Sequence, residues 1–171
     1  MILNLASNLI PGFETLRTEI IMVSNWKYDE WLKLGYQYHA PEDYISMEIY
    51  PEDIEIFSTI LSLNTIEYKG RIIKINPDST EEETKKKFDK QTIEFGIDAA
   101  EGLMNLAVLP FIFFHTSEKT SSETFMNIIR LIKSNWEYCL EKKYPDKSFE
   151  FVICDDEYEP SITFCVKRET S

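Results

Sequence analysis

The chain is 171 residues long, with 43% apolar and 28% charged residues, a balance that suits one domain with its own core and excludes wholesale disorder. A formal net charge of −12 and a pI near 4.6 set it against phosphate backbones and anionic lipid, so a basic protein is the expected direct partner, not nucleic acid or a membrane. Five glycines leave little material for a phosphate-cradling loop or a turn-dense β-barrel.

Taken in order, Met1-Ile2-Leu3-Asn4-Leu5-Ala6 lacks the basic run of a secretory signal. Pro11-Gly12 breaks the first apolar stretch, and Ile20-Ile21-Met22-Val23 predicts a strand. Residues 25–33 read as a short helix anchored by Trp26 and Trp31, with Asp29 and Glu30 near its start, where the helix dipole favours acids. Next, Ile45, Met47 and Ile49 alternate with Tyr44, Ser46, Glu48 and Tyr50, the pattern of a half-buried strand. Tyr36-Gln37-Tyr38 would pair with it across the turn Ala40-Pro41-Glu42-Asp43. Pro51-Glu52-Asp53 opens a helix to about residue 64, with Ile54, Phe57, Ile60 and Leu61 as its apolar face. The earlier Pro-Glu-Asp at 41–43 is taken as a coincidence rather than a repeat.

Residues 66–75 predict a tight hairpin turning at Lys69-Gly70. Ser79 or Thr80 caps a helix whose first turn holds Glu81, Glu82 and Glu83. Phe88, Thr92, Phe95, Ala99, Leu103 and Leu106 recur at steps of three and four, predicting one helix over about 80–106. Gly96 and Gly102 are its alternative break points, each costing roughly 1 kcal/mol against alanine. Lys85, Lys86, Lys87 and Lys90 read as a solvated face, with Glu81–Lys85 and Glu82–Lys86 at i,i+4 spacing. Residues 108–115 are apolar without alternation, as in a strand buried on both faces. Thr120 and Glu123 have capping-box spacing and open a helix over about 121–143. Its stripe is Phe125, Ile128, Ile129, Ile132, Trp136, Cys139 and Leu140, and Pro145 ends it. A last hairpin pairs 149–153 with 162–166. The whole predicts a single α+β domain over 1–171, with a largely antiparallel sheet built from hairpins and the two longer helices (about 80–106 and 121–143) packed on it.

Signatures of chemistry are missing from this pattern. His39 and His115 have no second His or Cys at zinc-ligand spacing, and Asp155-Asp156-Glu157 lacks the alternating ladder of a calcium loop. Cys139, Cys154 and Cys165 form no CxxC pair and read as buried, reduced thiols of a cytoplasmic protein. There is no nucleophile elbow, P-loop or dinucleotide fingerprint. No cofactor and no metal is expected, and an enzyme would have to use an unfamiliar site around His115 or the acids of 42–55.

One stretch stands apart. From residue 34 through 68 there is no Lys or Arg, while Glu42, Asp43, Glu48, Glu52, Asp53, Glu55 and Glu67 lie among five tyrosines. Tyrosine gives large contact area for little rotamer entropy, and acids steer a basic partner. Glu52 and Asp53 have a local reason at a helix start. Tyr38, Glu42, Asp43, Tyr44, Glu48, Tyr50 and Glu55 are therefore the candidate partner-binding residues. The function expected is an inhibitor or immunity-type protein that neutralises a basic partner such as a toxin, a nucleic-acid mimic being one form of this. The alternative is a chaperone or adaptor for a secreted or phage-encoded client. Nothing in the pattern sets an oligomeric state.

Overall fold

A computed structural model describes residues 25–35, 39–156 and 158–168. The strand expected at 20–23 and the expected hairpin partner Tyr36-Gln37-Tyr38 lie outside the described residues. Along the described chain run α1 (Trp26–Leu32), α2 (Pro41–Glu48), α3 (Pro51–Leu61), β1 (Thr65–Tyr68), β2 (Arg71–Lys74), α4 (Glu81–Phe95), α5 (Ile97–Asn105), β3 (Ala107–Val108), α6 (Leu109–Ile112), α7 (Ser122–Lys143), β4 (Phe149–Cys154) and β5 (Ser161–Val166). The class is α+β, but the balance differs from expectation. The described residues are mostly helical, and their strands form two small antiparallel sheets, β1-β2 and β3-β5-β4, instead of one large one.

Two local misreadings account for that difference, and of the two break points left open in the helix from residue 80 the one at Gly96 is taken. Residues 41–48 are helical, because Pro41 occupies the first helical turn and the Asp43 carboxylate accepts the Ala40 N–H at 3.1 Å. The alternation at 44–50 was too short to outvote that start signal. Residues 109–112 form one helical turn after the two-residue β3, since Pro110 has no N–H to give a sheet ladder but suits a first helical turn. The long helix expected over 80–106 is two, α4 and α5, divided at Gly96 with φ +84°. That conformation is cheap for glycine alone. The break resets the helical phase, so Phe95 and Leu103 of the expected stripe are exposed while Ala100, Glu101, Met104 and Asn105 are buried.

The other elements follow their sequence signals closely. The 65–74 hairpin pairs Tyr68 with Arg71 around Lys69-Gly70, both at positive φ. Thr80 caps α4 in a reciprocal box with Glu83. The cap of α7 is Ser121, which accepts from the Thr124 N–H, one residue beyond the expected Thr120–Glu123 box. Its buried stripe is Phe125, Ile129, Ile132, Trp136 and Leu140. The closing hairpin is in the register Phe151↔Phe164 and Ile153↔Ile162. The tip is held by the Asp156 carboxylate, which accepts the N–H groups of Tyr158 and Glu159. The thiols are less covered than expected: Cys154 is exposed, and Cys139 and Cys165 are partly so.

Because successive strand side chains point to opposite faces, β2 serves two cores. Ile72 joins Ala107, Leu109, Ile162, Phe164 and the α7 stripe, whereas Ile73 joins Phe88, Ala100 and Met104 from α4 and α5. A thin sheet layer thus lies between α7 on one side and the α4–α5 pair on the other. The facing edges of β2 and β5 are joined through α5 rather than by a ladder of their own. Glu101 Oε1 accepts the N–H of Ile72 at 3.4 Å and of Val166 at 3.1 Å. Asn105, one turn on, donates to Ile72 O at 2.8 Å and Phe164 O at 3.0 Å, and accepts the Lys74 N–H at 2.8 Å. Both side chains are fully buried. Two acceptors and two donors from one helix therefore satisfy edge groups that would otherwise be orphaned.

Candidate functional site

The cation-free stretch folds mainly as α2 and α3, and the two helices are built alike. Each begins on Pro-Glu-Asp, with the aspartate side chain folded back onto the preceding residue's N–H: Asp43 onto Ala40 at 3.1 Å, Asp53 onto Tyr50 at 3.2 Å. The two tripeptides thus perform the same local task, contrary to their reading as coincidence. Asp43 and Glu42 acquire the local reason that only Glu52 and Asp53 were expected to have, since both lie in the first turn of α2, at its positive end. Asp43→Ala is expected to fray the first turn of α2 at a cost of about 0.5–1 kcal/mol. Faster amide exchange confined to Tyr44–Ser46 would register it, and unchanged exchange would free Asp43 for another role.

Neither α2 nor α3 contains a buried residue. Tyr44 is the most enclosed candidate aromatic. Its ring meets Tyr28 and Trp31 edge-on at 5.7 and 5.6 Å between centroids, and burial, then the Glu48 charge, pushes its phenol pKa up. It therefore fastens α2 to α1 and offers little to a partner. Tyr50 stands at the N-cap of α3 and is 72% exposed. The apolar side chains of Ile45 and Met47 on α2, and of Ile54 and Ile56 on α3, also face solvent, Ile56 being 68% exposed. The base of α3 is anchored instead: Ile60 and Leu61 pack on the main core, and their carbonyls accept from Trp136 Nε1 at 3.3 Å and Asn135 Nδ2 at 2.7 Å.

Several acids of the described chain are neutralised in ion pairs. Glu67 pairs with Lys147, Asp89 with Lys69, Glu82 with Lys85, Glu137 with Lys133, and Asp98 with both Arg71 and Arg168. Glu42, Glu48, Glu52 and Glu55 are exposed, and among the described residues none lies within ion-pair distance of a cation. Chemically the helix pair presents unneutralised carboxylates among exposed aliphatic and tyrosyl side chains. Of the seven sequence candidates, Glu42 and Glu48 are exposed on α2, Glu55 on α3, and Tyr50 on the link between them. The structure assigns Asp43 to a cap and Tyr44 to an aromatic cluster, and Tyr38 lies outside the described residues. Ile45 and Met47 were missed because their spacing read as a strand's buried face, and Ile54 because it was assigned to the core-facing side of the helix that begins at Pro51.

His115 lies exposed in a turn after α6, beside an open cavity of about 480 Å³ lined also by Trp26, Lys27, Thr116, Lys119 and Thr124. Its ring rests edge-on against Phe114 at 5.1 Å, and among the described residues no hydrogen bond orients the imidazole as a general base requires. Among the same residues no group of three or more His, Cys, Asp or Glu is placed to hold a metal, and no helix is long and apolar enough to cross a membrane. In comparisons with known proteins, no family model, no curated protein and no solved structure matches the chain.

Proposed function

We propose that the protein is a small protein-binding inhibitor of the immunity type, acting in the cytoplasm, that neutralises a basic partner such as a toxin through the exposed surface of α2 and α3. The observation that supports this reading most is that α2, α3 and their link expose Ile45, Met47, Tyr50, Ile54 and Ile56 along a stretch whose Glu42, Glu48, Glu52 and Glu55 are exposed and unpaired. Unneutralised carboxylates raise the encounter rate with a cationic surface, and aliphatic and tyrosyl side chains supply the contact area that slows departure. What sets this stretch apart is that it carries no Lys or Arg of its own between residues 34 and 68.

Charge reversal at Glu48, Glu52 and Glu55 together is expected to slow association with the captured partner by about tenfold or more, with the melting temperature nearly unchanged. Stopped-flow association at low and high salt, beside a thermal melt, measures both. Unchanged association, or a large loss of stability, would remove the acids from a binding role. The exposed aliphatics also favour a second reading, a chaperone or adaptor that holds an unfolded client. In that case capture would prefer the unfolded chain and persist at high salt.

A further inference from the structure

At the foot of α3, a cavity of about 400 Å³ opens between the end of that helix, the β2 strand and α7. Its apolar wall is made by Ile60, Ile112 and Trp136, and its polar wall by Lys74, Asn64 and Asn76. In a chain with 30 acids, no Asp or Glu lines this space. We propose that the cavity binds a small organic carboxylate, whose charged end meets the Lys74 ammonium above Trp136 and whose apolar body lies against Ile60 and Ile112.

Lys74 is held for this purpose by geometry. Its Nζ stands over the Trp136 ring, 5.3 Å from the centroid, and donates to the Leu106 carbonyl at 3.3 Å. An ammonium has three donors, and among the described residues no carboxylate lies within ion-pair distance of this one. Burial first, and then the nearby Lys87 ammonium, hold its pKa below the usual lysine value. Such a cation gains from an incoming anion what a solvated lysine would not, because the desolvation cost is already met in the folded state. The carbonyls at the end of α3 would repel an anion if free. Those of Ile60 and Leu61 are already bonded to Trp136 and Asn135. Lys87 does not line the space, and one lining cation beside neutral amides and hydroxyls suits a monoanion, whereas a phosphomonoester carries more charge than that lysine balances. The volume falls within the roughly 300–1,000 Å³ range of small-molecule sites.

The test titrates isotopically labelled protein with acetate, benzoate and phenylacetate and with their neutral amides, following the backbone amides of Lys74 and Asn76 and the Trp136 indole by NMR. At least one carboxylate is expected to give saturable shifts at these positions, with its amide binding about tenfold more weakly or not at all. Lys74→Met, which keeps the stem over the indole, is expected to erase that preference. Equal binding of acid and amide, no saturable shift with any of the acids, or tighter binding of inorganic phosphate would each overturn the proposal. The acid-against-amide comparison needs no variant, so it stands even where Lys74→Met fails to fold. Failure here would leave the α2–α3 reading untouched, since the two share no side chain.

Discussion

Replacing Glu101 by alanine is expected to destabilise the protein by about 3–5 kcal/mol, the cost of breaking a buried charged network from one side. Its carboxylate is fully buried and accepts the N–H groups of Ile72 and Val166 through one oxygen. The other oxygen faces Arg71 at 3.6 Å and Arg168 at 3.9 Å. Alanine would leave two buried donors unsatisfied at the seam between the sheets and two guanidinium groups short of a counter-charge. Glu101→Gln should cost less, because an amide oxygen can still accept both N–H groups. Urea unfolding of the three proteins decides the matter, and a loss below about 1 kcal/mol for alanine would show that β2 and β5 are held by apolar packing alone.

The same residue gives a pH signature. Burial pushes the Glu101 pKa above its ordinary 4.5, against the opposing pull of the Val166 and Ile72 N–H groups and of Arg71 and Arg168. A carboxyl with a raised folded-state pKa binds its proton more tightly in the native protein than in the unfolded chain. Stability therefore falls as pH rises from near 4.5 through the folded value, and levels off above it. Glu101→Gln cannot titrate there, so the difference between wild type and variant should move in favour of the variant across that interval. Parallel pH profiles would contradict this.

Trp136→Ala is expected to cost about 3–5 kcal/mol as well, for a different reason. The indole is 2% exposed, packs edge-on against Phe164 with centroids 5.8 Å apart, and donates its N–H to Ile60 O at 3.3 Å. Truncation opens a void between α7 and β5 and frees a carbonyl at the end of α3. The loss should therefore be felt twice, as global destabilisation and as faster amide exchange in the second half of α3. A near-neutral result would take this face of α7 out of the core. Partner binding through α2 and α3 should also weaken in Trp136→Ala, since a loosened α3 must be reordered on association.

Legibility in the sequence divided along a physical line. Signals carried by neighbours a few residues apart were readable: the Lys69-Gly70 turn, the Thr80–Glu83 box, the α7 stripe ending before Pro145, and the closing hairpin with its register. Pro51 and Asp53 announced α3, and the same reasoning applied to Pro41 and Asp43 would have found α2. The apparent alternation over residues 44–50 obscured it. The candidate surface was legible in its charge, because the absence of cations from 34 through 68 is a property of the chain itself. Its apolar component was not, because exposure of Ile45, Met47, Ile54 and Ile56 depends on what packs against them.

The chain by itself determined the α+β class, the acidic stretch, most element boundaries and the core stripe of α7, all consequences of local propensity and period. Tertiary structure alone decided the rest. Gly96 offered a break, but only the folded arrangement shows that its positive φ turns Ala100, Glu101, Met104 and Asn105 inward. Glu101 and Asn105 are one turn apart on a helix, a spacing with no meaning until two strand edges from distant parts of the chain arrive beside them. Lys74 and Trp136 likewise become neighbours only when β2 and α7 pack. Long-range pairing of polar groups leaves no periodicity behind, so it emerges only where the strands meet.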